Sequence, residues 1–189
     1  GAFSKKGYIR ITGRIDDVIK VAGHRLSTGE IEDAIHNVIE TSENAVVSKP
    51  DEIRGELPVV FAKLKVGIQA NEAIKDKIIK MTVKKIGPIA KPSDIYFVPD
   101  LPKTRSGKIM RRILKAILRN EPEGEMSTIV NPECVEQIKK IVQDSRTVSV
   151  ENVVKNKTEL NNEVGKNEPD KNVQSDSVST GMTESMNMV

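Results

Sequence analysis

The sequence predicts an α+β fold, in which an N-terminal β-hairpin and a small three-stranded sheet carry packed helices. Two patterns indicate this class. In several segments apolar residues recur three and four positions apart, which is typical of helices with one buried face. Runs rich in valine, isoleucine and aromatic residues lie between these segments at 45–47, 57–66 and 95–98, which is typical of strands. After the hairpin, the predicted order is helix, strand, strand, helix, strand, helix.

The composition is that of a soluble globular protein, with 189 residues, 30% charged and 37% hydrophobic. Aromatic residues make up only 3%, so the core should consist mainly of isoleucine, valine and leucine. The net charge of +3 is too small to indicate nucleic-acid binding by itself. Cys134 is the only cysteine, so no internal disulfide can form, which fits a reducing compartment. No apolar run approaches the roughly 20 residues of a membrane span, and no signal peptide is apparent.

Two short strands are predicted near the N-terminus, at 8–11 and 18–21. Turn-forming residues separate them, so the strands should form a hairpin, and the connection between them is also suited to act as a hinge. The chain lacks an initiator methionine and starts inside the first strand pattern. We interpret it as a piece cut from a longer protein.

The first helix is predicted from a capping box, Ser27-Thr28-Gly29-Glu30, at its start. Apolar residues follow with the spacing i, i+3, i+4, i+7 and i+8, which places one buried stripe on a helix of about three turns. His36 lies in the polar part of this helix and should be exposed. The predicted stripe consists of Ile31, Ala34, Ile35, Val38 and Ile39.

Two further helices are predicted at 71–86 and 109–119, and a short one after Asn131-Pro132. The helix at 109–119 should bury its apolar face and expose its arginines and lysines. After about Asp144 the chain has one leucine, no isoleucine and no aromatic residue, so it is predicted to be disordered. The residues expected to be buried are Ile74, Ile78, Met81, Val83 and Ile86, then Met110, Ile113, Leu114, Ile117 and Leu118, and then Val135, Ile138 and Val142.

A strongly basic loop leads into the helix at 109–119. Between 101 and 119 there are seven basic residues and no acidic one. Lys108 follows Gly107 directly, so a compact positive charge stands where the backbone can approach a ligand closely. The loop is not a Walker A motif, because Ile109 stands where Ser or Thr should be. It predicts a site for an anion that carries a phosphate or a carboxylate.

Two long motifs resemble one known family. ITGRIDDVIKVAGHRLSTGEIE at 11–32 closely resembles the domain junction of the adenylate-forming acyl-CoA synthetases, and LPKTRSGKIMRRI at 101–113 resembles the loop that carries their catalytic lysine. Ile86-Gly87-Pro88 also fits. The resemblance covers residues 7–142 and is greatest to acetyl- and propionyl-CoA synthetases.

The resemblance implies an activity that needs a second domain. Members of this family activate a carboxylic acid with ATP and Mg²⁺, form an acyl-adenylate with release of pyrophosphate, and then transfer the acyl group to the thiol of coenzyme A. A large N-terminal adenylation domain holds most of the pocket, and a small C-terminal domain turns about a hinge between the two steps. This chain resembles the small domain, so the resemblance implies small-molecule substrates and a partner domain in the same polypeptide, with no specific nucleic acid and no membrane.

The resemblance also implies which residues act in the first step. Lys108 corresponds to the adenylation lysine. Asp16 corresponds to the hinge residue, with Asp17 beside it. Arg14 and Arg25 are implied to contact the nucleotide, and no residue of this chain is implied as a metal ligand.

For the second step, the implied coenzyme A surface begins at the motif Gly23-His24-Arg25, which would line the pantetheine tunnel. Some relatives carry an arginine near position 83 that contacts coenzyme A. Here the basic residues next to that position are Lys84 and Lys85, and we assign them to the same surface.

These readings divide the chain into four parts. Residues 1–22 are the hinge and hairpin segment, 23–120 the C-terminal domain of an acyl-CoA synthetase, 121–143 a short helical extension and 144–189 a disordered tail. The expected compartment is the cytoplasm, with a mitochondrial or other location left open because the N-terminus is missing.

Two other functions remain open at this point. The basic helix from Lys108 to Arg119 can bind phosphates of nucleic acid or of an anionic membrane, although none of the five aromatic residues lies in it to stack on bases. The chain can also be a remnant domain with a regulatory role. Within the enzyme reading, the resemblance further suggests reversible acetylation of Lys108, which would remove the charge that adenylation needs.

Overall fold

The computed structural model describes residues 2–3, 7–10 and 17–147. They form seven strands, four helices and a 3₁₀ turn at Pro88–Ala90. The α+β class predicted from the sequence is confirmed. In chain order the elements are β1 Ala2–Phe3, β2 Ile9–Arg10, β3 Val18–Val21, β4 His24–Ser27, α1 Thr28–Ile35, β5 Thr41–Asp51, β6 Gly55–Leu64, α2 Glu72–Lys85, β7 Asp94–Phe97, α3 Arg111–Arg119 and α4 at 133–147.

The main sheet has five strands rather than the three predicted. Its order is β4-β3-β6-β5, and β7 pairs in parallel with the middle of β6, while the other pairings are antiparallel. The β5–β6 hairpin is its longest part, because β5 extends beyond the predicted run 45–47 at both ends and β6 begins two residues before the predicted run 57–66. Strand β3 joins at Val21 opposite Gly55, where an added Cβ would lie 3.3 Å from the carbonyl oxygen of Lys20.

The predicted N-terminal hairpin pairs differently from the expectation. Strand β3 is present, but its partner is β4, and β2 instead pairs with β1. The β3–β4 connection has only two residues, Ala22 with φ 46° and Gly23 with φ 84°. Two positive φ values are what a tight turn needs to match the twist of its strands. The prediction was wrong because alanine, unlike asparagine or aspartate, rarely marks such a turn.

The sheet separates two apolar cores, since neighbouring residues of a strand face opposite sides. In β5, Ala45 and Val47 face α3 and α4, and Val46 faces α1 and α2. Cys134 is buried in the first core, and burial raises the pKa of its thiol to about 11. The largest fully buried side chains include Phe61, Ile19, Ile31, Ile35, Ile78, Leu101, Ile113, Leu114 and Ile138.

Helix α1 is shorter than predicted. It ends at Ile35, and Ile39 is 76% exposed, because the chain turns back into β5 and the hydroxyl of Thr41 donates to the carbonyl of Val38. Ser27 does occupy the N-cap position, but its side chain makes no capping hydrogen bond, so the predicted capping box does not form.

The remaining helices follow the sequence more closely. Helix α2 begins after Asn71, whose side chain accepts from the backbone N–H of Ile74. All five residues that were predicted to be buried in the helix at 109–119 are buried. Met81, Val83 and Ile86 of the second predicted stripe are only partly buried. Helix α4 buries its three predicted residues and runs through 147, past the predicted start of the tail at 144. The rest of that tail lies outside the described residues.

Candidate functional site

The loop that carries Lys108 is a small closed hairpin. Thr104 N–H donates to the carbonyl of Lys108 at 2.9 Å, Gly107 N–H donates to the carbonyl of Thr104 at 2.8 Å, and Lys103 is bridged to Ile109. Gly107 has φ 77°, which allows the tight turn at the tip. Helix α3 therefore starts at Arg111 rather than at Ile109 as predicted, because Ile109 belongs to the hairpin.

Lys108 is exposed near the tip of this hairpin. Its ammonium group has no hydrogen-bond or ion-pair partner among residues 2–3, 7–10 and 17–147. Since the backbone under it is closed by hydrogen bonds, the loop presents a free positive charge from an ordered base. An approaching anion would not have to displace a carboxylate from this lysine.

A network of charged side chains fixes the base of the hairpin to the sheet. The ammonium of Lys103 lies 2.6 Å from Glu43 on β5 and 3.4 Å from Asp100, and that of Lys63 on β6 lies 2.9 Å from Asp100. Hydrogen bonding to Glu43 raises the pKa of Lys103. Burial by itself would raise the pKa of the Asp100 carboxyl, but hydrogen bonds from Lys63, the Leu101 backbone and Asn131 and the charge of Lys103 lower it to about 2.

Asp100 should therefore contribute stability that depends on pH. Because its pKa falls from 3.8 to about 2 on folding, the contribution is complete above pH 3.8 and is lost as the pH drops through 2. We expect Asp100→Asn to lower the free energy of unfolding at pH 7 by about 1 kcal/mol, a value reduced by the water that reaches the carboxylate. Urea denaturation at pH 7, 4 and 2.5 should show this difference shrinking below pH 4.

Asp76→Asn is the matched control, since Asp76 is exposed on α2 and far from this network. It should leave the free energy of unfolding unchanged at all three pH values. A difference between wild type and Asp100→Asn that stays constant from pH 7 to 2.5 would contradict the assignment.

Arg111 does not lie on a solvated helix face, contrary to the prediction. Its guanidinium donates to both carboxylate oxygens of Glu32 on α1, at 2.7 and 2.8 Å, and Glu32 also accepts from the backbone N–H of Val46 at 2.8 Å. Burial opposes the positive charge of Arg111, but the Glu32 carboxylate, with a smaller effect from Asp17, holds its pKa above the ordinary value. This contact fixes the start of α3 to α1 and β5.

Arg112 is also occupied. Its guanidinium donates to the backbone carbonyls of Glu123 and Glu125, in the segment that follows α3. Two of the basic residues that made the helix resemble a phosphate-binding surface are thus used inside the fold. This weakens the nucleic-acid and membrane readings, which require those charges to face a ligand.

The second predicted surface is the β3–β4 turn. Gly23, His24 and Arg25 are exposed there, and a Cβ added at Gly23 would meet nothing within 4 Å. A ring nitrogen of His24, Nδ1, lies 3.3 Å from the carbonyl oxygen of Ala22. The turn is anchored to the sheet by the N–H of Ala22, which donates to the carbonyl of Arg54 at 2.8 Å.

The Lys108 hairpin and the β3–β4 turn lie at opposite ends of the β5–β6 hairpin. Lys103 contacts Glu43 near the start of β5, whereas Val21 is joined through Gly55 to Asp51 at its end. The eight residue-to-residue steps from Glu43 to Asp51 span about 26 Å at a rise of about 3.3 Å per residue. The structure therefore does not bring these two sets of predicted residues into one site.

Lys84 and Lys85 are exposed at the C-terminal end of α2. Lys84 lines a groove together with Ile39 and Glu40, which directly precede the start of β5. The structure therefore does not place the two lysines beside the β3–β4 turn, which lies at the other end of β5. Of the two hinge residues, Asp17 is half-buried beside β3 and Asp16 lies outside the described residues. Arg14, which was assigned to the nucleotide, also lies outside them.

Asn131 and Glu32 were not identified from the sequence as part of this region. The Asn131 side chain accepts from Lys103 N–H and donates to Asp100 and to the carbonyl of Leu101. The Asn131-Pro132 pair did predict the start of a helix, but it did not predict the contacts of Asn131 with the hairpin. Nothing in the spacing of Glu32 marks it as a partner of Arg111, 79 residues away.

In the ranges given above, no group of three or more His, Cys, Asp or Glu side chains is placed to hold a metal ion. None of the helices in that part of the chain is both long and apolar enough to cross a membrane.

Comparison with known proteins gives a consistent result. The family model of the AMP-binding enzyme C-terminal domain matches residues 30–108, which end at Lys108. The acetyl-coenzyme A synthetase of Methanothrix thermoacetophila is 51% identical over 138 residues, covering 73% of this chain and 21% of that protein. That of Pyrobaculum arsenaticum is 48% identical over 140 residues, covering 74% and 21%.

A solved structure shows the same fold. The crystal structure of a Brucella canis acyl-CoA synthetase matches with a TM-score of 0.54 and 34% identity, covering 62% of this chain and 22% of that one. The chain thus spans about a fifth of the length of the curated relatives it matches. The chain belongs to the AMP-binding enzyme C-terminal domain family of the adenylate-forming superfamily.

Proposed function

We propose that this chain is the mobile C-terminal domain of a short-chain, acetate-type acyl-CoA synthetase that forms AMP. The observation that carries the proposal is the position of Lys108, a cation with no partner among the described residues, on a hydrogen-bonded hairpin at the opposite end of the sheet from the exposed Gly23 turn. Two separate working surfaces on one rigid domain fit a reaction with two steps. The similarity to acetyl-coenzyme A synthetases supports acetate as the acid.

In the first step, a carboxylate oxygen of the acid attacks the α-phosphorus of ATP, and the bond to the leaving pyrophosphate breaks. Negative charge accumulates on the phosphoryl oxygens and on the leaving group. Lys108 stabilises that charge, and such an interaction contributes a few kcal/mol at a site from which water is excluded. ATP enters as its Mg²⁺ complex, and Arg14 and Arg25 are assigned to the nucleotide.

In the second step, the domain turns about the hinge at Asp16 and Asp17 and withdraws Lys108. The thiol of coenzyme A then loses its proton to water, its sulfur attacks the acyl carbonyl, and AMP leaves with the electrons of the broken acyl–oxygen bond. The Gly23-His24-Arg25 turn faces the thiol, and the small glycine leaves room for the pantetheine arm. Lys84 and Lys85 are exposed at the end of α2, and we assign them to the phosphates of coenzyme A.

The required partner is the N-terminal adenylation domain of the same polypeptide, which would supply the acid pocket. Within the chain, the proposed division remains a hinge and hairpin segment at 1–22, the domain at 23–120, an extension at 121–143 and a tail at 144–189. The proposed compartment is the cytoplasm.

The proposal is tested with the protein that includes its native upstream domain. We expect acetate-dependent exchange of labelled pyrophosphate into ATP, and acetyl-CoA formation only when coenzyme A is added. Propionate and butyrate serve as comparison acids. Absence of exchange with all three acids, together with binding to arbitrary DNA or anionic vesicles that weakens steeply with salt, would favour a phosphate-binding module instead.

A further inference from the structure

A strap that follows α3 covers the outer side of the Lys108 hairpin. It consists of residues 126–131, beyond the part of the chain that the family model matches. Ile129 is bridged to Thr104, and the N–H of Val130 donates to the carbonyl of Lys103 at 3.0 Å. The strap therefore extends the two-stranded hairpin into a small three-stranded ribbon at its base.

Asn131 ends the strap and uses its whole side-chain amide on the hairpin base. Its oxygen accepts from the N–H of Lys103 at 3.1 Å. Its nitrogen donates to the carboxylate of Asp100 at 2.7 Å and to the carbonyl of Leu101 at 2.9 Å. A side-chain amide has two N–H donors and one carbonyl oxygen, so both donors and the acceptor are engaged here.

These bonds decide how the hairpin is oriented on the sheet. The hydrogen bonds within the hairpin fix its shape, but they do not fix its angle to β5 and β6. That angle depends on Asp100 and Lys103, which are paired with Lys63 and Glu43 on these strands. Asn131 is the one side chain in the described part of the molecule that bonds to both Asp100 and the Lys103 backbone, so it joins the ion pairs to the hairpin.

We propose that Asn131 is a positioning residue for Lys108, which holds the hairpin at the angle that the adenylation step needs. The inference rests on the proposed function of Lys108. Asn131 does not touch the reacting atoms. It acts through the backbone at Lys103, five residues before Lys108, and through Asp100. A displacement of about 1 Å at a reacting group lowers the rate by up to about 10²-fold. Loss of the Asn131 hydrogen bonds should therefore have a measurable effect on the rate of adenylation.

The test uses the full-length enzyme with three variants: Asn131→Ala, Lys108→Ala and Asn37→Ala. Asn37 is the matched control, because its side chain also bonds to backbone carbonyls, but on α1 at the other face of the sheet. We expect Asn131→Ala to lower kcat for pyrophosphate exchange about tenfold, with KM for ATP within twofold. Thioester formation from preformed acyl-adenylate should stay within twofold, and Asn37→Ala should alter neither step.

A second measurement does not depend on activity. Amide hydrogen exchange of this chain should become faster at 100–110 and 126–131 in Asn131→Ala, and should stay unchanged at 72–85 in α2. Unchanged protection of the amides at 100–110 would show that Asn131 does not hold the hairpin in place, and would overturn the proposal.

The outcomes separate this inference from the proposed function. If Lys108→Ala loses exchange while Asn131→Ala keeps it within twofold, the inference is wrong and the proposed function stands. Equal losses in both half-reactions of Asn131→Ala would show a general structural defect and would also overturn it. If Lys108→Ala keeps full exchange, the proposed role of Lys108 fails and the inference fails with it.

Discussion

Replacing Lys108 by alanine in the full-length protein is expected to slow acetate-dependent pyrophosphate exchange by roughly 10²- to 10³-fold. The side chain is exposed and unpaired within the described residues, so its loss should not change the stability of the domain. The cost falls on the transition state of adenylation, where the lysine would offset negative charge. Thioester formation from preformed acyl-adenylate should remain within about twofold of wild type, since the proposed function has Lys108 withdrawn in that step.

Two further variants sharpen this result. Lys108→Gln removes the charge and keeps much of the length, so it should match alanine, and acetylation of the lysine should have the same effect. Lys140→Ala is the control, because Lys140 is an exposed lysine on α4. Exchange that survives in both Lys108 variants, or that falls as much in Lys140→Ala, would show that the reaction does not use this lysine.

Glu32→Ala is expected to lower the free energy of unfolding by about 3 kcal/mol. Arg111 and Glu32 are only 28% and 17% exposed, and the substitution leaves the guanidinium without its carboxylate. It also removes the acceptor of the Val46 N–H on β5, an edge strand of the sheet. A half-buried cation and a backbone donor thus lose their partners together, and chemical denaturation of the chain measures the combined cost.

Glu30→Ala is the matched control, since Glu30 is exposed on the same helix, and it should change the free energy of unfolding by less than about 0.5 kcal/mol. A double variant of Glu32→Ala with Arg111→Met should recover part of the loss, because the unpaired charge is then gone. Strictly additive losses in the double variant would mean that the two side chains do not interact.

Local pattern was sufficient to predict much of this fold. The spacing of Ile113, Leu114, Ile117 and Leu118 identified the buried face of α3, because a helix with one buried face repeats every 3.6 residues. The predicted range 71–86 also located α2, whose first turn is capped by the Asn71 side chain, which accepts from the N–H of Ile74. The basic loop and its lysine were also recognisable, because glycine and charge lie next to each other in the sequence.

Contacts between distant segments were not predictable in this way. The partner of β3 depended on the conformation of Ala22 and Gly23, which composition does not reveal. The Arg111–Glu32 contact joins residues 79 apart, and Asn131 bonds to residues about 30 positions before it. Each of these side chains is polar and would be placed at the surface by a hydropathy pattern. Their role follows only from the packing of α1, α3 and the strap around the sheet.

The length of the β5–β6 hairpin has a consequence for how ligands would affect each other. Because the two surfaces lie about 26 Å apart along it, a ligand that engages the Gly23 turn would, under the proposed function, draw Lys108 out of the pocket of the adenylation domain. Ligands that prefer opposite orientations of one domain are antagonists, and the antagonism is reciprocal. Coenzyme A would then weaken the binding of the ATP complex without touching it, and a tenfold effect corresponds to about 1.4 kcal/mol of coupling. A stiff pair of strands thus converts the choice between two orientations into negative cooperativity between two substrates.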